Sequence, residues 1–449
     1  MKFRIFLLSL LSFASFGFGL ILPLSAIEQE QSQKEQKPKL QNTLKAQILR
    51  EINQYQKDAK NIFSLKDLLN ASKQSLSQTT KDLAIDEANK YVQTTILAFA
   101  PQVNVGYSFG QNNTYNKNKT LSNDNQNVSV QANLNVFNGF KDWYAYKEAE
   151  AREESAQFNK SFSQNQADLQ IINEYFSYFS NLSRYFAMQK KQNQINQALS
   201  ALQALYLQGL RPLENIEVLK AQSALVEYEI AGLSLKIEQN KLNLELATNL
   251  KIDGLKYQSL KSPDLNKSET RGDILAIDAN LRAIEYQNSQ LNYFPTININ
   301  GTLNYSLPTK KGEETLLSSN FGLNVSFGIT NAIGTTLLKQ IKTIQTLSAQ
   351  KALALQKFEQ QNNQKLYAKS LQIAKLRIDS ALKNYQSQDL AFQNIKQKFN
   401  ANLVNFSDFL DALSKDFDAL AQYNESINAY EQEKARFIFN NGLDLINYL

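Results

Sequence analysis

The sequence contains no cysteine and no histidine, and only 15 glycines and 7 prolines among its 449 residues. Without cysteine there are no disulfides, thiol nucleophiles, thiolate metal sites or lipid-bearing N-terminal cysteine. Without histidine there is no Ser-His-Asp triad and no ordinary proton shuttle near neutral pH. With only two methionines as well, metal-specific ligation is disfavoured. An enzyme would have to work with carboxylates, lysine, tyrosine or serine alone, and no cluster of such groups stands out. No enzymatic activity and no cofactor are therefore expected. The charge bias is also small: 48 basic and 42 acidic side chains leave +6, too little to argue for nucleic acid. Scarce glycine and proline beside abundant asparagine and glutamine favour long helices over a string of small domains.

Long apolar runs are equally rare, and the one present is N-terminal. MKFRIFLLSLLSFASFGFGLILPLSA sets Lys2 and Arg4 before an apolar stretch from Ile5 to Leu22, followed by Pro23 and Ala26. That is the layout of a secretory signal peptide over residues 1–26, although Leu24 is larger than the small residue favoured three positions before a cut. An uncleaved anchor is the alternative. Residues 27–63, opening EQEQSQKEQKPK after Ile27, are expected to be a polar tether. No later run is long enough to span a bilayer as a helix, so any membrane contact must use strands or a surface.

Four segments alternate apolar and polar side chains with period two: 102–110, 127–137, 296–307 and 321–329. In NVSVQANLNVF, Val128, Val130, Ala132, Leu134 and Val136 face one way, and Ser129, Gln131, Asn133 and Asn135 the other. Their lengths suit tilted strands crossing a hydrocarbon layer. Polar loops separate each pair, so two hairpins are predicted, at 101–137 and 295–329. Four strands cannot close a barrel alone, and lipid does not tolerate an open sheet edge. Strands pooled from several copies would turn Val and Leu to lipid and Asn, Gln and Ser to a water-filled lumen. Trp143, Tyr144, Tyr293 and Phe294 would then stand at headgroup level. A soluble β-sandwich satisfies the same alternation, because alternation alone does not name the solvent.

The two hairpins lie about 193 residues apart, and helical patterns flank both in the same order. Before them come helices over 64–99 and about 270–293. After them come stretches of about 140–207 and 333–400, each on the order of 100 Å long as a helix. Leu169, Ile172, Phe176 and Phe179 in the first, and Leu371, Ile378, Leu382 and Tyr385 in the second, carry coiled-coil spacing. The long helices end at turns 208–212 and 401–405, and shorter helices return over 213–250 and 406–439. The predicted organisation is therefore repeat 1 (64–251), a linker (252–269), repeat 2 (270–440) and a C-terminal tail (441–449).

VFNGF (136–140), GLRPLENIEVLKAQ (209–222), YFPTININGTLNYS (293–306) and NLVNFSDFLDAL (402–413), in this order and within this repeat, resemble the TolC family of outer-membrane efflux proteins. The resemblance implies a mixed α/β membrane protein, trimeric, with a twelve-stranded β-barrel to which each chain gives four strands. A long periplasmic α-helical barrel would continue it. It implies an outer-membrane exit duct of a tripartite efflux or type I secretion system, with a periplasmic adaptor protein and an inner-membrane transporter as partners. Adaptor-contact turns carry over onto Gly209, Leu210 and Arg211 and onto Asn402, Leu403 and Val404.

Asp408 and Asp411 match the acidic pair that narrows the tunnel mouth in the family. Read without the resemblance, they are helix-start charges, with Asn405 as the cap and Asp408 at the third helical position. Where the family's best-known gate ties helices shut with an aspartate, a tyrosine and an arginine, this sequence has Asn215, Phe399 and Val404. Phe399 has no hydroxyl and Val404 no charge, so other contacts, Arg211 among them, must hold a closed mouth. Two other classes fit less well: a trimeric coiled-coil structural or adhesin protein would lack matched hairpins, and a passive porin would need many strands and no tunnel helices.

Overall fold

This computed structural model describes residues 43–44, 46–116, 119–291, 295–309, 314–327, 332–401 and 403–449. The expected signal peptide, residues 27–42 of the tether, Tyr293, Phe294, Ile329 and Asn402 lie outside the described residues. The chain divides into two units, residues 1–58 and 59–449. In the first, residues 46–55 are helical and the Gln56 N–H donates to Ile52 O at 3.0 Å, so the segment read as a tether contains a helix.

The second unit runs β1 (Ile62–Ser64), α1 (Leu65–Ser72), α2 (Leu76–Ile96), β2 (Gln102–Asn116), β3 (Lys119–Phe137), α3 (Lys141–Leu207) and α4 (Leu213–Thr248). It continues with β4 (Gly254–Lys256), α5 (Gly272–Ser289), β5 (Thr296–Leu307), β6 (Leu316–Ser326), α6 (Ala332–Asn400) and α7 (Phe406–Asn440). Among the described residues no helix is long and apolar enough to cross a membrane.

The strands β2, β3, β5 and β6 form one antiparallel sheet in that order. Its register aligns the apolar parity across all four strands: Val105 pairs with Val130 and Val130 with Leu303, while Leu134 pairs with Ile299 and Ile299 with Leu323. The polar parity aligns as well, as in Asn104 with Gln131, Gln131 with Thr302 and Thr302 with Asn320. A bulge between Asn135 and Phe137 corrects one expectation. It is Phe137, not Val136, that stands opposite Ile297 at the apolar edge.

Two further expectations change. The stretch 111–126, read as an exposed loop, is mostly strand: β2 and β3 stay paired out to Asn116 and Lys119, well past the last β3–β5 pair at Gln126 and Leu307. No glycine or proline interrupts that stretch, whereas Pro308 follows β5 directly. The last strand also begins earlier than expected, at Leu316 rather than Phe321.

The helix predicted over 64–99 is two. Ser75 accepts a hydrogen bond from the Gln78 N–H and starts α2 anew, while Ser64 and Asp67 form a reciprocal capping box at α1. That box holds the Asp67 carboxyl below its ordinary range, chiefly through the Ser64 hydroxyl. At the other junction, VFNGF folds back with Gly139 and Phe140 both in the left-handed region. Phe140 packs edge-on to Phe137 at 5.2 Å, and α3 begins with Lys147 lying 5.4 Å over the Trp143 ring.

Midway along α3 the helices are clamped by the linker. β1 and β4 pair in parallel, and the buried Tyr175 hydroxyl donates to Lys256 O and accepts from the Gln258 N–H at 2.8 Å. Burial raises the Tyr175 and Tyr257 hydroxyl pKa values well above their ordinary range. A buried Lys434–Glu431 pair at 2.8 Å holds both backbone groups of Leu260. The C-terminal tail joins this clamp, since the Glu269 N–H donates to Asn441 O and the Lys261 N–H to Tyr448 O. Gly442 adopts φ +72°, and a Cβ there would come within 2.5 Å of Glu269 O, so the approach of tail to linker requires glycine.

Candidate functional site

Both long helices stop through the same backbone chemistry. At the end of α3, Gly209 takes φ +74°, its N–H bonds Tyr206 O, and the Leu210 N–H reaches back five residues to Leu205 O. This pair of bonds satisfies carbonyls that the helix leaves open. At the end of α6, the Leu403 N–H makes the same five-residue reach to Lys398 O. The turns then enter α4 through Pro212 and α7 through Asn405, both with extended backbone. Leu210 and Leu403 stand at the two tips, 65% and 74% exposed. Large apolar side chains at exposed turns contribute little to a core.

Beneath the tips lies an apolar cluster drawn from four helices: Leu202 and Met188 of α3, Ile216 and Leu219 of α4, Phe392 of α6, and Phe409 and Leu413 of α7. It fixes where the predicted site residues stand. Phe399 stacks on Phe409 with ring centroids 4.6 Å apart and lies 6.1 Å from Phe406. Arg211, from the first turn, places its guanidinium carbon 5.6 Å from the Phe399 ring. The structure thus brings together two of the predicted gate positions, one from each turn region, as a cation–π contact rather than a hydrogen bond. Asn215, on the first turn of α4, and Val404, in the second turn, are half-buried.

Asp408 and Asp411 are exposed on α7, one helical turn apart, on the side away from Phe406, Phe409 and Leu413. Asn405 occupies the cap position of α7, but its side chain makes no capping hydrogen bond. The capping expected of Asn405 is not made, which weakens the case that this segment is built only to start a helix. Sequence reasoning missed Lys415, whose ammonium lies 2.6 Å from the Asp411 carboxylate. The signal was present in the sequence, as an acid four residues before a base on a helix. An exposed pair of this kind contributes little to stability and offsets part of the local negative charge.

Farther along the same helix Asp416 is buried, with its Oδ1 unpartnered. Burial, with Asp389 adding repulsion, pushes its carboxyl up to about 6 from an ordinary 3.8. Asp168 in α3 reaches about 6 in the same way, by burial, even though the Ser72 hydroxyl and the Gln164 amide both donate to it.

No protein-family model matches the sequence, and no curated protein sequence matches it. Solved structures do. The CmeC outer-membrane channel of Campylobacter jejuni superposes with a TM-score of 0.77 at 13% identity, over 85% of this chain and 86% of that one. The outer-membrane channel OprN gives 0.75 at 12% identity, over 84% and 89%. VceC of Vibrio cholerae gives 0.74 at 15% identity, over 85% and 96%. The fold is that of the TolC-family outer-membrane channels. Within this fold, the turn region that carries Leu210, Arg211, Leu403, Asp408 and Asp411 lies at the opposite end of the long helices from the sheet.

Proposed function

We propose that the protein is an outer-membrane exit duct of a tripartite efflux or type I secretion assembly. It works as a homotrimer that pools four strands per chain into a twelve-stranded barrel and continues as a periplasmic helical tunnel. An inner-membrane transporter and a periplasmic adaptor would deliver substrate to it, after removal of a signal peptide. The observation that carries this reading is the sheet: four strands align nearly all of their apolar side chains on one face, yet among the described residues β2 and β6 leave both edges unpaired. In lipid such a sheet is viable only if its edges are closed by other copies. Exposed apolar seams on the helices support the same assembly. Val218, Leu225 and Leu246 recur at multiples of seven along α4, as do Tyr228, Leu235 and Leu242, and all six are exposed.

In this trimer Asp408 and Asp411 gather six carboxylates around the threefold axis and form the tunnel-mouth gate, which the contact between Arg211 and Phe399 helps hold closed. Gly209, Leu210 and Arg211, with Asn402, Leu403 and Val404, form the adaptor-contact turns. Planar-bilayer recording tests the gate. Replacing both aspartates by asparagine lowers cation preference and weakens block by multivalent cations, with little change in assembly. A well-folded double variant with unchanged selectivity would return both residues to the role of helix-start charges. Leu210→Glu and Leu403→Glu test the turns: transport is lost while assembly persists. Efflux that survives both changes with the adaptor bound would make the turns mere helix stops.

A further inference from the structure

The register of the sheet shows more than which face is apolar. On the polar face, the rung of Asn104, Gln131, Thr302 and Asn320 and the rung of Asn135, Asn298 and Asn324 contain only carboxamides and a hydroxyl. Wherever all four strands, or β3, β5 and β6, are paired, the polar-face positions are Asn, Gln, Ser, Thr or Gly, with Leu316 at one corner, and none is charged. One residue in five of the whole chain is charged, so composition alone would have placed several charges in a set of this size. Asparagine richness explains what is present. It does not explain what is missing.

The glycines on this face follow the same plan. A Cβ at Gly110 would lie 2.8 Å from Asn125 Oδ1, and one at Gly322 would lie 3.1 Å from Asn300 Oδ1, so neighbouring carboxamides occupy the space that these two glycines leave. A carboxamide offers both donor and acceptor and turns either toward a solute. Rings of charged side chains discriminate ions by sign, whereas carboxamides that can turn either end of their dipole to the solute impose no fixed sign.

We propose that the strand end of the pore is blind to charge sign: its carboxamide and hydroxyl wall passes cations, anions and neutral hydrogen-bonding organic solutes alike. Discrimination by charge is then confined to the other end, where Asp408 and Asp411 stand. This rests on the pore reading given above. The absence of native cysteine makes the test direct. Single-cysteine variants Asn298→Cys and Thr302→Cys on the polar face, and Ile299→Cys on the apolar face, are exposed in intact outer membranes to a cationic and an anionic methanethiosulfonate of similar size. Rates are normalised to the same reagents on a free small thiol. The expected result is modification of both polar-face cysteines with a cation-to-anion rate ratio under about fivefold, and protection of Ile299→Cys from both reagents. A ratio above that limit at both polar-face positions overturns charge blindness and leaves the pore reading standing. Polar-face cysteines that react with neither reagent, or a reactive Ile299→Cys beside protected polar-face variants, would overturn the pore reading itself.

Discussion

The two long helices are nearly equal in length, 67 residues for α3 and 69 for α6, yet their surroundings differ. Around its middle α3 is buried on nearly every side: Tyr175, Phe176, Tyr178 and Phe179 are all fully covered, with Tyr257 of the linker against Phe176 and Phe179, and along its length α3 packs on α1, α2, α4, α5 and α7. In contrast α6 packs on α5 and α7 and leaves Phe358, Leu366, Ile373, Leu376 and Leu390 exposed. Both helices carry apolar side chains beyond what one coiled-coil seam needs. In α3 the surplus is used within the chain, and in α6 it faces outward, where the proposed trimer would place a neighbouring copy. Apolar content alone therefore does not say whether a helix is finished by its own chain.

Damage at the apolar surface should affect the two helices differently. Phe176→Ala in α3 should cost about 3–5 kcal/mol of chain stability, as expected for a buried aromatic, and should lower the denaturant midpoint. Leu376→Asp in α6 should leave helical content intact and dissociate the assembly, read by circular dichroism and size-exclusion chromatography in detergent. If Leu376→Asp unfolds the chain as Phe176→Ala does, the outward face of α6 is not an interface.

A smaller effect is expected at the α6–α7 contact. The folded carboxyl of Asp416, at about 6, stands above its unfolded value of 3.8. Its favourable contribution is fully present below about pH 4 and is lost as pH rises through 6. Asp416→Asn should therefore stabilise the protein above pH 6, by about 1 kcal/mol after allowance for solvent screening, and flatten the stability profile between pH 4 and 6. Thermal melts at pH 5 and pH 7.5 check this: a variant that gains nothing at pH 7.5 would place the carboxylate in a better-solvated site. The smallest effect belongs to Arg211. Arg211→Ala should remove only about 0.5–1 kcal/mol of cation–π attraction and show as more frequent opening in single-channel records, not as unfolding.

Much of this fold was legible in the sequence because its periodicities are clean. The alternation in 127–137 and 296–307 identified both faces of the sheet, and the turns around Gly209 and Asn402 bounded the long helices to within a residue or two. What escaped depends on partners far away in the chain. The three-residue strands β1 and β4 are too short to alternate and exist through a pairing nearly two hundred residues apart. The bulge at Asn135 adds one residue to a regular pattern, so period-two reading misses that Phe137 stands opposite Ile297. At the site, Asp411 with Lys415 was readable as a helical spacing, whereas Asp416 beside Asp389 follows only once α6 and α7 are packed together. The Ser75–Gln78 cap, which splits the predicted first helix, was visible as a serine followed three residues later by glutamine.

In the proposed trimer, two further copies of this chain complete a sheet open at both edges and a helix with an unfinished apolar face. The most direct measurement is the mass of the purified, detergent-extracted protein by native mass spectrometry, taken beside its Leu376→Asp variant. The expected mass is that of three chains for the parent protein, extracted from the outer-membrane fraction, and of one chain for the variant. A parent protein that is monomeric and recovered without detergent would contradict it.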